Sequence, residues 1–263
     1  MTDEGVIATD PIGVEEAKAY RAAIAEITDQ PVKYVAYSHS HWDHVTGAQI
    51  FKDEGAQIVA QENCADNMRQ APHPDVVPPD ITFADTYSIE LGGRALDLYH
   101  FGPSHDTCMV VMVPRPANML FVVDIGSAPE GFVMEYNPTM AEGYLHNMVP
   151  YLKAVEELMA ENGIDTIISG HISLAFDEDG RTGAGPSTGP AESISEKRRF
   201  WEVLIGFVDE DVANATHVDD GAEAVLDDPD FARDMIAPLG PTYNESEMRI
   251  LLRRVAEYIR TGR

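Results

Sequence analysis

His39-Ser40-His41-Trp42-Asp43-His44 follows directly on an apolar, β-branched run at 32–37, so the hexapeptide stands just past the end of a strand. Imidazole and carboxylate groups hold zinc while leaving a coordination position open for water. Alternate positions on an extended chain point the same way, so His39 and His41 can converge on one cation. Asp43 and His44 come as the chain turns toward a helix and can face a second cation. With 9 His in 263 residues, three His and one Asp in this pattern should arise by accident about once in a thousand such chains.

Three further positions share one signature, a ligand-type side chain at the end of an apolar strand. His105 lies in the loop Gly102-Pro103-Ser104-His105-Asp106-Thr107. Asp124 closes Val122-Val123-Asp124, and His171 closes Ser169-Gly170-His171. Open α/β sheets gather their sites at such strand ends. One such histidine alone would be an ordinary hydrogen-bonded residue; three beside the hexapeptide reverse that expectation. His100 precedes the His105 loop, where it would support a ligand or simply be satisfied locally. His73, His146 and His217 read as surface or loop residues.

Outward from these positions, short β-rich runs alternate with amphipathic stretches. Strands are expected at 6–8, 32–37 and 57–60, and helices over 14–27 and through 64–68, the first with Val14, Ala17, Ile24 and Ile27 at helical spacing. Residues 71–80 are a proline-rich loop. Strands flank the Gly92-Gly93 turn, and a second hairpin joins 109–113 to 119–123 around Pro114 and Pro116. Residues 144–159 are helical, with Pro150 opening a new helix or kinking the old one. Residues 177–190, rich in Gly, Ser and Thr, read as a loop. Helices follow at 193–207 and 244–259, the last with Asn244 as N-cap and a stripe of Met248, Leu251, Val255 and Ile259. The simplest account is one α/β domain at 1–176 with a helical extension at 177–263 packed on it.

Composition narrows the partners. Forty-five Asp and Glu against 18 Lys and Arg give a formal charge of −27, a potential that repels phosphate backbones and anionic lipid. Nucleic acid and membrane surfaces are therefore not expected partners; a small molecule is. No run of 18 apolar residues is present to span a bilayer. The first eleven residues carry neither a basic nor an apolar segment of the kind a signal peptide needs. The compartment stays open, cytoplasmic as the chain stands and periplasmic if an upstream signal has been removed. Cys64 and Cys108 are too few for a disulfide framework and are expected to be packed thiols.

On these residues the chain resembles the metallo-β-lactamase superfamily over about residues 5 to 175. The resemblance implies a four-layer αββα sandwich with metals at one edge of the paired sheets. It also implies His39, His41 and His105 on a first metal, Asp43, His44 and His171 on a second, and Asp124 as a bridging carboxylate. A histidine at the third motif position, where flavo-diiron members carry Glu, favours zinc, two ions per chain. The activity implied is hydrolysis: two cations activate water and polarise the scissile oxygen, Asp43 orients the nucleophile, and no serine or cysteine nucleophile is required.

Two departures from the family bear on substrate. Its members usually begin with a β-hairpin ahead of the strand that here is 6–8, and a chain without it should have an open cleft and a sheet edge free for self-association. The best-known β-lactamases carry a cysteine where Asp124 stands and a carboxylate-gripping lysine three residues on. Here Ser127 occupies that position, as a hydroxyl anchor or a turn residue. The basic sites expected for glutathione thioesters or tRNA are not visible, since Arg198-Arg199 and Arg253-Arg254 fall on helices as solvated positions. The leading expectation is zinc-dependent hydrolysis of a small carbonyl compound, β-lactams included. The alternative is a thioester, lactone, or sulfate or phosphate ester. A metal-binding accessory protein without turnover is disfavoured by the complete ligand set.

Overall fold

The computed structural model describes residues 1–126, 143–171, 174–177, 180–208 and 210–262. It divides into two compact units, Met1–Phe121 and Val122–Arg263.

In the first unit, β1 (Val6–Thr9), β2 (Val32–Ala36), β3 (Gln57–Gln61) and β4 (Ile81–Phe83) form a parallel sheet in chain order. Parallel neighbours need crossovers, supplied by α1 (Val14–Ile27), by α2 (Trp42–Val45) with α3 (Gln49–Asp53), and by α4 (Glu62–Gln70). Side-chain alternation splits each strand between two cores. Val35, Ile58 and Ala60 join a helix-side cluster with Ala17, Ile24 and Phe51. Their neighbours Ala36 and Val59 join Phe83, Ile89, Leu96, Leu98 and Met112. Those last four residues come from β5 (Thr86–Leu91), β6 (Arg94–Tyr99) and β7 (Val111–Arg115), which with β8 (Leu120–Val122) make an antiparallel meander. Gly92 and Gly93 both take positive φ, as a two-residue hairpin loop requires.

The second unit contains α5 (Leu145–Asn162), β9 (Thr166–Ser169), β10 (Leu174–Asp177), β11 (Gly180–Ala184), β12 (Thr188–Pro190), α6 (Glu192–Phe207), α7 (Glu210–Ala213), α8 (Val218–Leu226), α9 (Pro229–Phe231), a π-turn (Ala232–Ile236), α10 (Ala237–Leu239) and α11 (Glu245–Thr261). Helices α5 and α6 pack on one another, and Met148, Tyr151, Leu152 and Val155 of the first and Ile194, Phe200, Trp201 and Leu204 of the second are buried. Asn244 caps α11 by accepting from the Glu247 amide, and of the expected stripe Met248, Leu251 and Val255 are buried while Ile259 is half-buried.

Several sequence expectations are corrected. Cys64 and Cys108 are not free thiols; they form a disulfide, with Cα atoms 5.3 Å apart. Their separation of 44 residues hid a pairing that only the return of the His105 loop onto α4 creates. Residues 177–190 are not simply a loop: they contain part of the β10–β11 hairpin and β12, which pairs antiparallel with β9. Such ladders are made by the backbone and ask little of the side chains. Pro150 lies inside one helix and does not open a second. The β7–β8 turn falls later than expected, because β7 continues through Pro114 to Arg115. In α1 only Ala17 and Ile24 are buried, and Val14 and Ile27, at its two ends, extend past the core into solvent.

Candidate metal centre

Strand β2 delivers its C-terminal end directly into the hexapeptide. His39 and His44 are buried, His41 is half-buried and Asp43 is open to solvent. The ring of His39 lies 4.5 Å from that of His41, 4.4 Å from that of His44 and 5.3 Å from that of His105, centroid to centroid. His105 Nε2 faces His41 Nδ1 at 3.1 Å. Two nitrogens held by one tetrahedral zinc at its usual bond length stand about 3.3 Å apart. One ring nitrogen from each of His39, His41 and His105 lies within 4.8 Å of the other two, a donor set suited to such an ion.

A hydrogen-bond chain fixes which nitrogen His39 offers. Asp10 accepts from the Ser38 amide at 2.8 Å and from the Ser38 hydroxyl at 2.6 Å. That hydroxyl has one proton, given to the carboxylate, so toward His39 Nδ1 at 2.9 Å it can only accept. His39 therefore carries its proton on Nδ1 and leaves the buried Nε2 as the atom available to a cation. The same Asp10 carboxylate stands 3.2 Å from His44 Nδ1. This leaves His44 Nε2, 3.4 Å from Asp43 Oδ2, as the atom available to a cation. Carboxylates behind ligating histidines set ring orientation and basicity in this way.

The second support is Asp106. It accepts from the Ser40 amide and hydroxyl, the Thr107 amide and Asn67 Nδ2. Burial alone would push its carboxyl up. The Ser40 hydroxyl and amide, the charge of His41 and the Thr107 amide outweigh that and hold it below the ordinary value. Helix α4 is fastened to the same loop at three points: Asn63 Nδ2 donates to the Thr107 carbonyl, the disulfide joins Cys64 to Cys108, and Asn67 bridges Ser40, Asp106 and Thr107. His41 and His105 are thus aimed by a shared, largely buried network.

In the second unit, Asp124 follows β8 with φ of +59° and His171 follows β9, with His171 Nε2 2.8 Å from Asp124 Oδ1. The Gly170 amide donates to the Val122 carbonyl. A Cβ on Gly170 would stand 2.6 Å from Val123 Cγ2, so only glycine lets the two strand ends approach this closely. Ser127 lies outside the described residues. His100 is satisfied locally, through Nδ1 and the Met109 carbonyl. His73 stands beside Trp42, His146 is exposed at the start of α5, and His217 is exposed at the N-cap of α8.

Sequence reasoning missed Asp10, Ser38, Asp106 and Asn67. Asp10 had the signal used for Asp124, an acidic residue at the end of an apolar strand, and Asp106 adjoins His105. Nothing local marks Asn67, whose role exists only because α4 returns to the His105 loop.

A family model for the metallo-β-lactamase superfamily matches residues 9–171. Among solved structures, a metallo-β-lactamase from Pontibacter korlensis is similar with a TM-score of 0.61 and 20% identity, over 77% of this chain and 84% of that one. DIM-1 metallo-β-lactamase exposed to ceftazidime is similar with a TM-score of 0.60 and 13% identity, over 77% and 82%. These likenesses show the metallo-β-lactamase fold, an α/β sandwich, as the sequence implied. A linear primary-alkylsulfatase from Pseudomonas sp. is 32% identical over 92 residues, a stretch that takes in 32% of this chain and 17% of that protein. The matched span encloses every proposed ligand from His39 to His171, and the chain belongs to the metallo-β-lactamase superfamily, whose members are mostly metal-dependent hydrolases.

Proposed function

We propose that this protein is a two-zinc hydrolase of small esters, with the sulfate ester of an apolar alcohol as its preferred substrate. The convergence of one ring nitrogen each from His39, His41 and His105 is the observation that carries the hydrolase reading. Zinc bound there would supply Lewis acidity, making a water acidic near neutral pH and polarising an oxygen of the scissile group.

The chain's own residues do the rest. His39 Nε2, His41 and His105 would hold one ion, and the family pattern assigns Asp43, His44 and His171 to a second. The family pattern assigns Asp124 to the same metal centre, where its carboxylate would serve as a further ligand. Asp43 would accept a hydrogen bond from the attacking water and orient it. Asp10, directly at His44 and through Ser38 at His39, fixes which nitrogens those rings offer, and Asp106 anchors Ser40 beside His41. The sulfate-ester preference rests on the 92-residue likeness to an alkylsulfatase; the whole activity of that longer protein comes to this chain as a proposal.

The test is zinc reconstitution followed by elemental analysis and a substrate panel of alkyl sulfates, a chromogenic β-lactam, a thioester, a lactone and a phosphodiester. Two zinc ions per chain are expected, with sulfate release that a chelator and His41→Ala both abolish. One ion or fewer would remove the second site. Two ions with no turnover on any substrate would make the protein a metal-binding accessory. Turnover of the β-lactam alone would replace the sulfate reading.

A further inference from the structure

Large apolar side chains left in water are unevenly distributed in this molecule. Five stand exposed among the described residues, and three of them, Ile12, Val14 and Trp42, lie on two adjoining turns at the metal motif. The Ile12 amide donates to the His44 carbonyl and the Gly13 amide to the Thr46 carbonyl, joining the 10–14 turn to the 42–46 turn. Gly47 allows this approach, because a Cβ there would collide with the Gly13 carbonyl. A third segment braces the pair: the Gly47 amide donates to the Asp75 carbonyl, the Tyr37 hydroxyl donates to the Val77 carbonyl, and the His73 ring lies 4.6 Å from that of Trp42.

Ile12 has φ of +59°. A β-branched residue is the least suited of side chains to that conformation, and glycine or asparagine would serve the turn better. Strain of this kind persists where the surroundings over-determine it, at ligand clamps and active sites. Here it keeps a branched apolar residue 51% exposed on a turn whose amide bonds the His44 carbonyl, while Trp42, next in sequence to His41 and Asp43, is 50% exposed. Ligand pockets are mostly apolar walls around a few placed polar groups. An apolar rim built into the metal motif has that form.

We infer that Ile12, Trp42 and His73 form the subsite for the hydrocarbon chain of the ester substrate. The inference rests on the hydrolase reading and deepens it by assigning which part of the substrate is gripped, and by what. Because its walls are fixed by backbone hydrogen bonds, the subsite selects for chain length, each methylene laid against it adding up to about fourfold in affinity.

The chain has two tryptophans, Trp42 and the fully buried Trp201, so acrylamide quenching of the zinc-loaded protein reports chiefly on Trp42. Ethyl, hexyl and decyl sulfonates, whose carbon–sulfur bond resists hydrolysis, serve as probes below their micellar concentrations. Decyl sulfonate should protect Trp42 and ethyl sulfonate should not, with the apparent Kd falling steadily along the series. Ile12→Ala and His73→Ala should weaken decyl binding far more than ethyl binding at unchanged zinc content. With alkyl sulfates, Trp42→Ala should raise KM for the decyl ester tenfold or more and move KM for the ethyl ester little, and Trp42→Phe should restore most of the difference. Protection independent of chain length, or none, overturns the subsite. So does protection that follows protein concentration, which would mean that a second copy covers the rim. If no alkyl sulfate is hydrolysed, the substrate reading fails by itself, and graded protection by the sulfonates still upholds the rim.

Discussion

Asp10 contributes to the site without being a proposed ligand. It receives both polar hydrogens of Ser38 and faces His44 Nδ1, so it acts on two ligands at once. Asp10→Asn keeps the shape and loses the charge, and amide geometry cannot satisfy the Ser38 amide, the Ser38 hydroxyl and His44 together. Zinc affinity is expected to fall 10- to 100-fold, as for other groups that orient ligands, with little change in Tm; a competitive chelator titration measures it, and unchanged affinity would remove Asp10 from the supporting shell. Lys197 illustrates burial without a part in the metal site. It is enclosed in α6, its ammonium 5.6 Å from the Phe200 ring centre, and burial pushes its pKa from 10.5 down to about 7. Below pH 7 both folded and unfolded chains are protonated and the whole penalty is present. Between pH 7 and 10.5 the unfolded chain holds a proton the folded one lacks, so stability rises with pH by up to about 1.4 kcal/mol per pH unit. Lys197→Met should therefore stabilise the protein at pH 6, with the advantage shrinking toward pH 10.5 in denaturant titrations at several pH values.

Helix α4 works as a clamp. Its N-terminal turn is capped by Gln61, which accepts from the Asn63 amide, and the next residues carry the disulfide and Asn67 to the His105 loop. Closing a loop across 44 residues removes enough unfolded-chain entropy for about 4 kcal/mol of stability in the chain-entropy account. Reduction by dithiothreitol, or Cys64→Ser with Cys108→Ser, should lower Tm by several degrees. Equal melting temperatures in the two redox states would show that the bridge adds nothing. The glycines beside the site act at this same scale. Gly47 and Gly170 each stand where a Cβ would meet a neighbouring segment, and both approaches carry ligand-bearing turns.

At the scale of the whole chain, 27 net negative charges repel one another over about 10 Å at moderate ionic strength and much less at 1 M. Potassium chloride between 0.05 and 1 M should therefore raise Tm, with most of the gain at the low end of the range. A flat or falling profile would mean that local pairs, such as Arg198 with Glu156 and Glu202, already neutralise the field. The same charge disfavours anionic substrates at long range, so an anionic ester would have to be held by zinc and by the apolar rim.

The sequence by itself determined the chemistry. Ligand types recur at the ends of apolar strands, and both the strand pattern and the residue types are local properties, so His39, His41, His44, His105, Asp124 and His171 could all be singled out by reading along the chain. The capped helix at Asn244 and the Gly92-Gly93 turn were legible for the same reason, since caps and turns depend on neighbours in sequence. Tertiary structure alone decided what stands behind and beside those residues. The Cys64–Cys108 bridge, the Asn67 network and the Trp42–His73 ring contact each join segments roughly 30 or more residues apart in the chain. Their side chains meet only because parallel strands and their crossovers fold back on one another. Hydrogen bonds and packing act over a few ångströms in space, whatever the separation in sequence, and no local pattern records them.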